Sequence, residues 1–440
     1  MQVSSHRRSI DTPHIAVEHP VKGLHRAFMA LRHRNFRLFW LGQLISLIGT
    51  WMQSTAQAWL VLQLTHNALL LGIVGALQFL PIMLFSLFGG VLADRLPKRA
   101  VLLGTQTSAL IQAATLWLLV FTGTVQLWHV LILASLLGLT NAFDMPTRQA
   151  FVAEMVGRED LPNAVALNSS LFNMARIVGP GIGGLVIAWL GVAPLFLLNA
   201  ISFIPVLAGL ALIDVKQLHA LTKRMLAKDT PKPNTFQSLK EGLVYVRRTP
   251  AVFLIIVVIG IVSLFGINFN VVLPLFADNV LRVGPAGFGF ISSALGFGAL
   301  VSALWLAYNN KNPSISQMLV AAIAFGALEA LFAISHWYLL SLALIAAVGF
   351  AQIAFSAVAN TTLQTVTPDY LRGRVMSVYL LVFAGSTPLG NLFTGGLAHL
   401  FGTPLAFLVD AGLSLLAAVL GWIFRAPAEK SVAESRLIKE

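Results

Sequence analysis

Apolar stretches of about twenty residues, each long enough for a helix to cross the roughly 30 Å hydrocarbon layer of a bilayer, recur about twelve times along this chain. They alternate with short segments that hold nearly all of the Lys and Arg, and no water-soluble surface can be built from that pattern. Of 440 residues, 57% are hydrophobic and 10% are charged, with a mean hydropathy of +0.81. Inside lipid every backbone N–H and C=O must be bonded within the chain, so the stretches are expected to be helices and the fold class an all-α integral membrane protein. The spans read near 38–62, 69–93, 100–121, 126–145, 164–190 and 194–213, then near 251–277, 285–308, 315–335, 338–360, 374–400 and 402–424. The expected domains are a basic segment (1–37), a six-helix bundle (38–213), a linker (214–250), a second six-helix bundle (251–424) and a tail (425–440).

Lys and Arg test this count, because they concentrate in cytoplasmic loops. With twelve spans, one side receives the N-terminus, the tail and the linker with Lys216, Lys223, Arg224, Lys228, Lys232, Lys240, Arg247 and Arg248. The loops carrying Arg95, Lys98, Arg99, Arg148, Arg158, Lys311, Arg372 and Arg374 fall on that side too. Arg282 falls on the other side and Arg176 in mid-span. Both termini and the linker are therefore expected in the cytoplasm. The net charge of +12 serves this orientation, and because the basic residues do not gather on one domain face no nucleic-acid partner is expected.

The first 35 residues lack an apolar core, and the Arg7-Arg8 pair has none behind it, so the first span is expected to act as its own insertion signal. Ahead of that span, Leu24, Ala27, Phe28 and Leu31 share a helical face flanked by Arg26, Arg32 and Arg34. Two readings stay open there: a helix lying on anionic lipid, or a basic flank that only fixes topology. The absence of cysteine excludes disulfides and thiolate metal sites.

The two halves repeat at an offset of about 211 residues: Gly179, Gly184, Gly191, Phe196, Leu197 and Ala200 align with Gly390, Gly395, Gly402, Phe407, Leu408 and Ala411, and Asn199 falls opposite Asp410. Six spans separate the members of each pair, an even number, so the repeats run the same way through the membrane.

The segment Gly90-Val-Leu-Ala-Asp94-Arg95-Leu-Pro97-Lys98-Arg99 joins spans two and three. Gly90 permits close helix approach, Asp94 can face a helix N-terminus of the other half, and Arg95, Lys98 and Arg99 can hold phosphates or carboxylates. It resembles the loop signature of the major facilitator superfamily, with Pro97 where that pattern has Gly, and the resemblance implies a latch on the cytoplasmic side; a plain topology signal would explain the cations but not Asp94. In span five, Gly179-Pro180-Gly-Ile-Gly183-Gly184 supplies a bend and tight packing. It resembles the glycine-proline element of exporters and antiporters, although Ala166 and Ala175 stand where that pattern has glycine.

Phrases at 31–40, 49–53, 56–62, 144–151 and 168–184 are similar to the transmembrane secretion effector branch of that superfamily, over nearly the whole chain. The resemblance implies export of a hydrophobic or amphipathic solute from a bacterial plasma or inner membrane. The Arg-bearing motif that drug antiporters carry in span four is missing, so their proton relay is not implied.

Polar residues within spans are candidates for function. An arginine at the middle of a span costs about 2.5–3.5 kcal/mol on insertion scales, so Arg176 is expected to face protein or water, either pairing with substrate or held by a permanent partner. Gln43, Ser46, Thr50, Gln53, Ser54 and Gln57 fall within an arc of about 100° in span one and are expected to look into a polar cavity, with Ser263, Gly266, Asn270 and Pro274 a weaker stripe in span seven. Helix–helix hydrogen bonding is the alternative for both. Asp144 lies four residues before Arg148, as an i,i+4 pair or a gate contact. Glu329 and Asp410 fall on spans nine and twelve, where they either share a proton or make structural hydrogen bonds.

No Walker loop, metal-spaced cluster or nucleophile with a nearby base is present, so neither a cofactor nor enzymatic chemistry is expected. The chain is read as a secondary transporter that exchanges a small molecule for protons by alternating access between its halves. Uptake on the same fold, or a receptor or lipid-handling protein that moves no solute, are the alternatives.

Overall fold

The computed structural model describes residues 28–218, 235–309 and 313–437; within these, the side chains of Leu87, Asp94, 235–239 and 433–437 lie outside the description. The expectations for Leu24, Arg26, Ala27, Lys223, Arg224, Lys228, Lys232 and Lys311 also lie outside the described residues.

Helix accounts for all regular structure among the described residues. The first half holds α1 (Arg34–Thr65), α2 (Ala68–Arg95), α3 (Lys98–Phe121), the stretch Leu127–Leu190, and α6 (Ala193–Leu212). Gly157, at φ 74°, breaks the long stretch into α4 (127–156) and α5 (158–190). After α7 (Thr235–Arg248), the second half holds α8 (Pro250–Phe265), α9 (Phe269–Asn279), α10 (Gly284–Asn309), α11 (Ile315–Ala333), α12 (Tyr338–Val366), α13 (Asp369–Phe401) and α14 (Thr403–Ile423). A last helix, α15 (Ala426–Leu437), follows.

Among the described residues ten stretches are long and apolar enough to cross a membrane; one of them, Leu127–Leu190, is 64 residues long and crosses twice, while α8 and α9 together form one crossing. α1 has 32 residues and a polar stripe that lowers its hydropathy, but its length of about 48 Å spans the same layer. That gives twelve crossings in an all-α membrane fold. The outward surface agrees: Trp128, Trp189 and Trp337 at one level and Tyr308 and Tyr370 at the other are all more than half exposed, as aromatic belts at two interfaces require.

The fourth and fifth crossings differ from the sequence reading. The fourth runs on to 156, past the expected end near 145, and the fifth starts at 158 instead of 164. Pro146 removes one backbone donor without ending the helix. The carbonyl of Ala142, which its N–H would have bonded, packs on Gly89, where a Cβ would come within 2.2 Å of the oxygen. Pro162 is the fifth residue of α5, so the one helical bond it removes is that to the Arg158 carbonyl, in the first turn.

On one face, called the linker face below, the crossings of each half are tied together. Asp160 accepts from Arg32 and His33 at 2.8 and 2.6 Å, Lys98 pairs with Glu154 at 2.8 Å, and Arg99 donates to the carbonyls of Leu210 and Ala211 at 2.7 Å each. In the second half Glu241 of α7 pairs with Arg374 at 2.8 Å, and Ser316 bonds Glu429 of α15. α7 therefore docks on α13. Met29–Arg32 forms a 3-10 turn with Ala30 buried and Phe28 exposed.

The halves meet through α5 against α10 and α2 against α13. A Cβ on Gly184 would stand 2.5 Å from the Pro285 oxygen, one on Gly289 2.4 Å from the Pro180 oxygen, and one on Gly72 2.4 Å from the Asn391 oxygen. All of these positions lie in the half of the bilayer away from the linker. Toward the linker ends of α2 and α13 such close approaches are not seen at Gly90 or Gly373, where a Cβ would meet nothing within 4 Å. The closest backbone approaches between the halves thus gather toward the far face.

This packing predicts that Gly184→Val forces the far face apart. Because the chain holds no cysteine, Ser292→Cys on the cavity wall gives a single reporter. Its labelling by a membrane-impermeant maleimide added at the far face should rise several-fold in the Gly184→Val background, and an unchanged rate would show that the crossing does not hold that face closed.

Candidate functional site

Between the halves lies a cavity of about 270 Å³, walled by α1, α2 and α5 on one side and by the α8–α9 junction, α10, α12 and α13 on the other. Trp51, Ser54 and Gln57 face it from α1, Gln78 and Phe79 from α2, Arg176 and Pro180 from α5, and Asn270, Phe288, Gln352 and Thr387 from the second half. Among the described residues Arg176 is the one ionisable group lining it, and no hydrogen bond or ion pair within the protein holds its guanidinium. A larger open depression of about 590 Å³ at the far end of the second half, beside Arg282 and His336, is separate from it.

Arg176 is placed by the glycine-proline element. Gly179 and Gly183 turn toward α1, where a Cβ on Gly179 would come within 2.5 Å of the Trp51 Cβ, while Pro180 and Gly184 turn toward α10. Pro180 deprives the Arg176 carbonyl of its helical partner, and Gly296 of α10 packs against that carbonyl, so closely that a Cβ there would stand 3.2 Å from the oxygen. One residue on, Ser293 donates to the Ile177 carbonyl at 2.6 Å. The backbone polar groups that the proline exposes thus stay shielded by the other half.

Span seven is broken where it meets the cavity. α8 ends at Phe265 and α9 starts at Phe269, and Asn268 spans the gap, its Nδ2 donating to the Leu264 and Phe265 carbonyls at 2.8 and 3.1 Å. Irregular backbone at this depth is tolerated only beside protein or water. The break needs Gly266, since a Cβ there would press on Phe325 at 2.5 Å and Ser414 at 2.8 Å.

The polar stripe of span one divides. Ser54 and Gln57 line the cavity, but Gln53 and Thr50 do not, which corrects the expectation for both. Gln53 is buried in the first half, donating to Gln112 Oε1 at 2.9 Å and accepting from Asn199 Nδ2 at 2.6 Å, and the Thr50 hydroxyl bonds back to the Ser46 carbonyl at 2.9 Å. An arc of about 100° is wide enough to face two directions, and the amide partners on α3 and α6 claim one of them. Asp144 is also turned inward: it accepts from Thr105 and Gln106 at 2.7 Å each and from Arg148 Nε at 2.9 Å, while Arg148 reaches Gln43. In the loop between α2 and α3, Lys98 and Arg99 are engaged within the first half, Arg95 is exposed, and the Asp94 side chain lies outside the described residues.

The second half buries two acids. Glu329 on α11 is fully buried with neither carboxylate oxygen hydrogen-bonded; Asp410 on α14 lies close enough for its charge to act on Glu329. Asp410 Oδ2 accepts from Thr394 at 2.6 Å, and Thr394 in turn accepts from Asn268 at 3.0 Å, so the acids connect to the break in span seven. Gln78, Gln352, Thr387, Asn268 and Thr394 escaped sequence reasoning: Gln78 and Gln352 are single polar residues in apolar runs, and Thr387, Asn268 and Thr394 have only Ser386, Asn270 and Asn391 near them, too few to make a stripe.

The profile of the transmembrane secretion effector family matches residues 25–438. The chain belongs to that family. Within it, the chain is similar to the multidrug efflux pump Tap of Mycolicibacterium fortuitum, with 30% identity over 380 residues covering 85% of this chain and 90% of that protein. It is 25% identical to the staphyloferrin A transporter of Staphylococcus aureus, over 88% of this chain and 95% of that one. The enterobactin exporter EntS of Escherichia coli is 27% identical over 87% and 90% of the two chains. Among solved structures, the nucleoside transporter NupG superposes with a TM-score of 0.72 at 13% identity over 89% of this chain and 99% of that one. A bacterial homolog of the human lysosomal transporter Spinster, in an inward-facing and unoccupied conformation, gives 0.69 at 12% identity over 94% and 99%. At those identities the structures establish the fold alone, that of the major facilitator superfamily. The secretion effector is thus a multi-pass membrane transporter of the efflux and secretion type and not an enzyme.

The division of the stripe has a measurable consequence. Asn199→Ala leaves the buried Gln53 amide short of a partner, at a cost of about 1–3 kcal/mol, and should lower the melting temperature of the transporter without changing ligand affinity. Gln57→Ala should do the reverse. Thermal unfolding and tryptophan quenching on the same samples separate the two, and equal affinity losses in both variants would return Gln53 to the cavity wall.

Proposed function

We propose that this transporter exports a small hydrophobic or amphipathic solute, siderophore-like or drug-like, in exchange for protons by alternating access. The observation that carries the reading is a mid-membrane cavity lined by both halves, whose closest backbone approaches lie toward the far face. The positive-inside distribution of Lys and Arg supports a cytoplasmic linker face, with both termini there, in a bacterial plasma or inner membrane. The cavity then opens to the cytoplasm, the compartment from which an exporter loads. Relatives named for drug efflux and for siderophore transport support the direction and the solute class.

In this cycle the bundles 38–213 and 251–424 are the rocking units. Arg176, Gln57 and Asn270 meet the solute, and Gly179, Pro180, Gly183 and Gly184 form the ridge that seals the far face. When the halves close on the cytoplasmic side, Gly90, Asp94, Arg95, Lys98, Arg99 and Asp144 act as the latch, with the loop cations near anionic lipid. Glu329 and Asp410 carry the coupling proton. Two ionised carboxylates buried without a cation would cost several kcal/mol, and a proton arriving from the far side removes that cost while the solute leaves.

Reconstituted transporter tests the coupling. With a pH gradient imposed across proteoliposomes, the wild type should accumulate solute against its gradient. Asp410→Asn and Glu329→Gln should lose this accumulation while keeping solute–solute counterflow. Gradient-driven accumulation by both variants at the wild-type rate would remove the acids from the coupling, and Asp94→Asn, which should slow turnover with near-normal binding, checks the latch.

A further inference from the structure

We infer that the cavity selects organic anions: molecules that join a carboxylate, phenolate or catecholate group to an aromatic or extended apolar body. The inference rests on the proposed reading of the cavity as the solute site and adds the charge that the solute must carry.

Three features of the cavity point the same way. Arg176 contributes a full positive charge and, among the described residues, no carboxylate lines the space with it. The acids that share the membrane are committed elsewhere: Asp144 is paired with Arg148 inside the first half, and Glu329 and Asp410 are fully buried inside the second. The guanidinium is half-buried and unpaired, in a layer where an arginine without a counter-charge costs about 2.5–3.5 kcal/mol, and an anionic ligand removes that cost where a cation would add to it.

The break in span seven adds a second positive element. α9 is an 11-residue helix beginning in mid-membrane; Asn268 at its N-cap makes no side-chain capping bond, and the first residues, Phe269 and Asn270, line the cavity. The amides of Val271 and Val272 are bonded to the Asn268 carbonyl, whereas those of Phe269 and Asn270 head the helix and have no helical carbonyl to bond. A helix N-terminus set against a cavity at this depth favours a negative group.

The apolar part of the ligand has its own wall. Trp51, Phe79, Phe269 and Phe288 supply aromatic surface from both halves, and Gln57, Gln78 and Gln352 supply amides. The buried Gln352 Oε1 accepts nothing from the protein, which leaves an unsatisfied acceptor on a residue of the cavity wall.

Three probes with one naphthalene body decide the matter: 1-naphthoate, 1-naphthamide and 1-naphthylmethylammonium, titrated into the full-length transporter in detergent with tryptophan quenching as the readout. The carboxylate should bind about tenfold or more tightly than the amide, the difference expected of one charge-assisted pair, and the cation most weakly. Arg176→Gln should erase the preference by costing the carboxylate at least tenfold more affinity than it costs the amide, and Arg176→Lys should keep part of it. The monodispersity and melting temperature of each variant show that it folds. Equal or tighter binding of the cation, or a carboxylate preference that survives Arg176→Gln, overturns the inference. Transport in proteoliposomes keeps the two ideas apart. Gradient-driven export of the ammonium probe but not the carboxylate would sink the anion selectivity and leave export standing. Arg176-dependent carboxylate binding with no gradient-driven movement would leave the selectivity standing and sink export.

Discussion

Two pairs of glycine contacts, Gly184 with Gly289 and Gly72 with Gly395, bring four helices from opposite halves into backbone contact on one side of the membrane, and the cavity exists because they do so on that side alone. In lipid there is no hydrophobic gain from pressing two apolar helices together, so association depends on close dispersion contact, and close contact depends on residues without a side chain. The positions are related by the internal repeat: Gly184 and Gly395 are 211 residues apart and occupy equivalent places on α5 and α13. The far-face seal is therefore the same contact used twice. Among the described residues it is crossed by few polar bonds, with Ser293 to the Ile177 carbonyl among them, so opening it breaks few hydrogen bonds.

The repeat also shows where the halves have diverged. Asn199 and Asp410 stand at the same repeat position. In the first half the residue is a neutral amide that completes the chain Asn199–Gln53–Gln112, with donors and acceptors matched. In the second half it is an acid, bonded through one oxygen to Thr394, with its other oxygen and both oxygens of Glu329 unpaired. A satisfied network stiffens a bundle, whereas buried polar groups left short of partners are costly unless another species completes them. At this repeat position the first half thus has a completed amide chain, and the second keeps open capacity next to the break in span seven.

Much of this was legible in the sequence because lipid simplifies the problem. The crossings follow from length and hydropathy, the parallel halves from the offset between Gly179-to-Ala200 and Gly390-to-Ala411, and the close packing of α5 from its Gly-Pro run. What stayed hidden depended on partners far away in the chain. Gln53 and Gln57 lie on one stripe, one turn apart, and only the positions of Gln112 and Asn199 turn the first inward while leaving the second at the cavity. The continuation of α4 past Pro146 depends on Gly89 covering a carbonyl that a sequence reading leaves exposed. Gln78 and Gln352 were invisible for a different reason: a single polar residue on an apolar helix has no period.

α5 joins the cavity to the seal. Arg176 lies one turn before Pro180 and two turns before Gly184, so the residue carrying the cavity's charge and the residues closing the far face share one helix. Gly179 and Gly183 fix that helix on α1, and Pro180 loosens its hydrogen bonding between the two sites. A ligand that neutralises the guanidinium changes the balance of forces on the segment whose tilt sets the Gly184–Gly289 contact. Such a ligand shifts the halves only to the extent that it binds one arrangement better than the other. A bend at Pro180, placed between charge and seal, is where two arrangements of α5 can differ without breaking either helix arm.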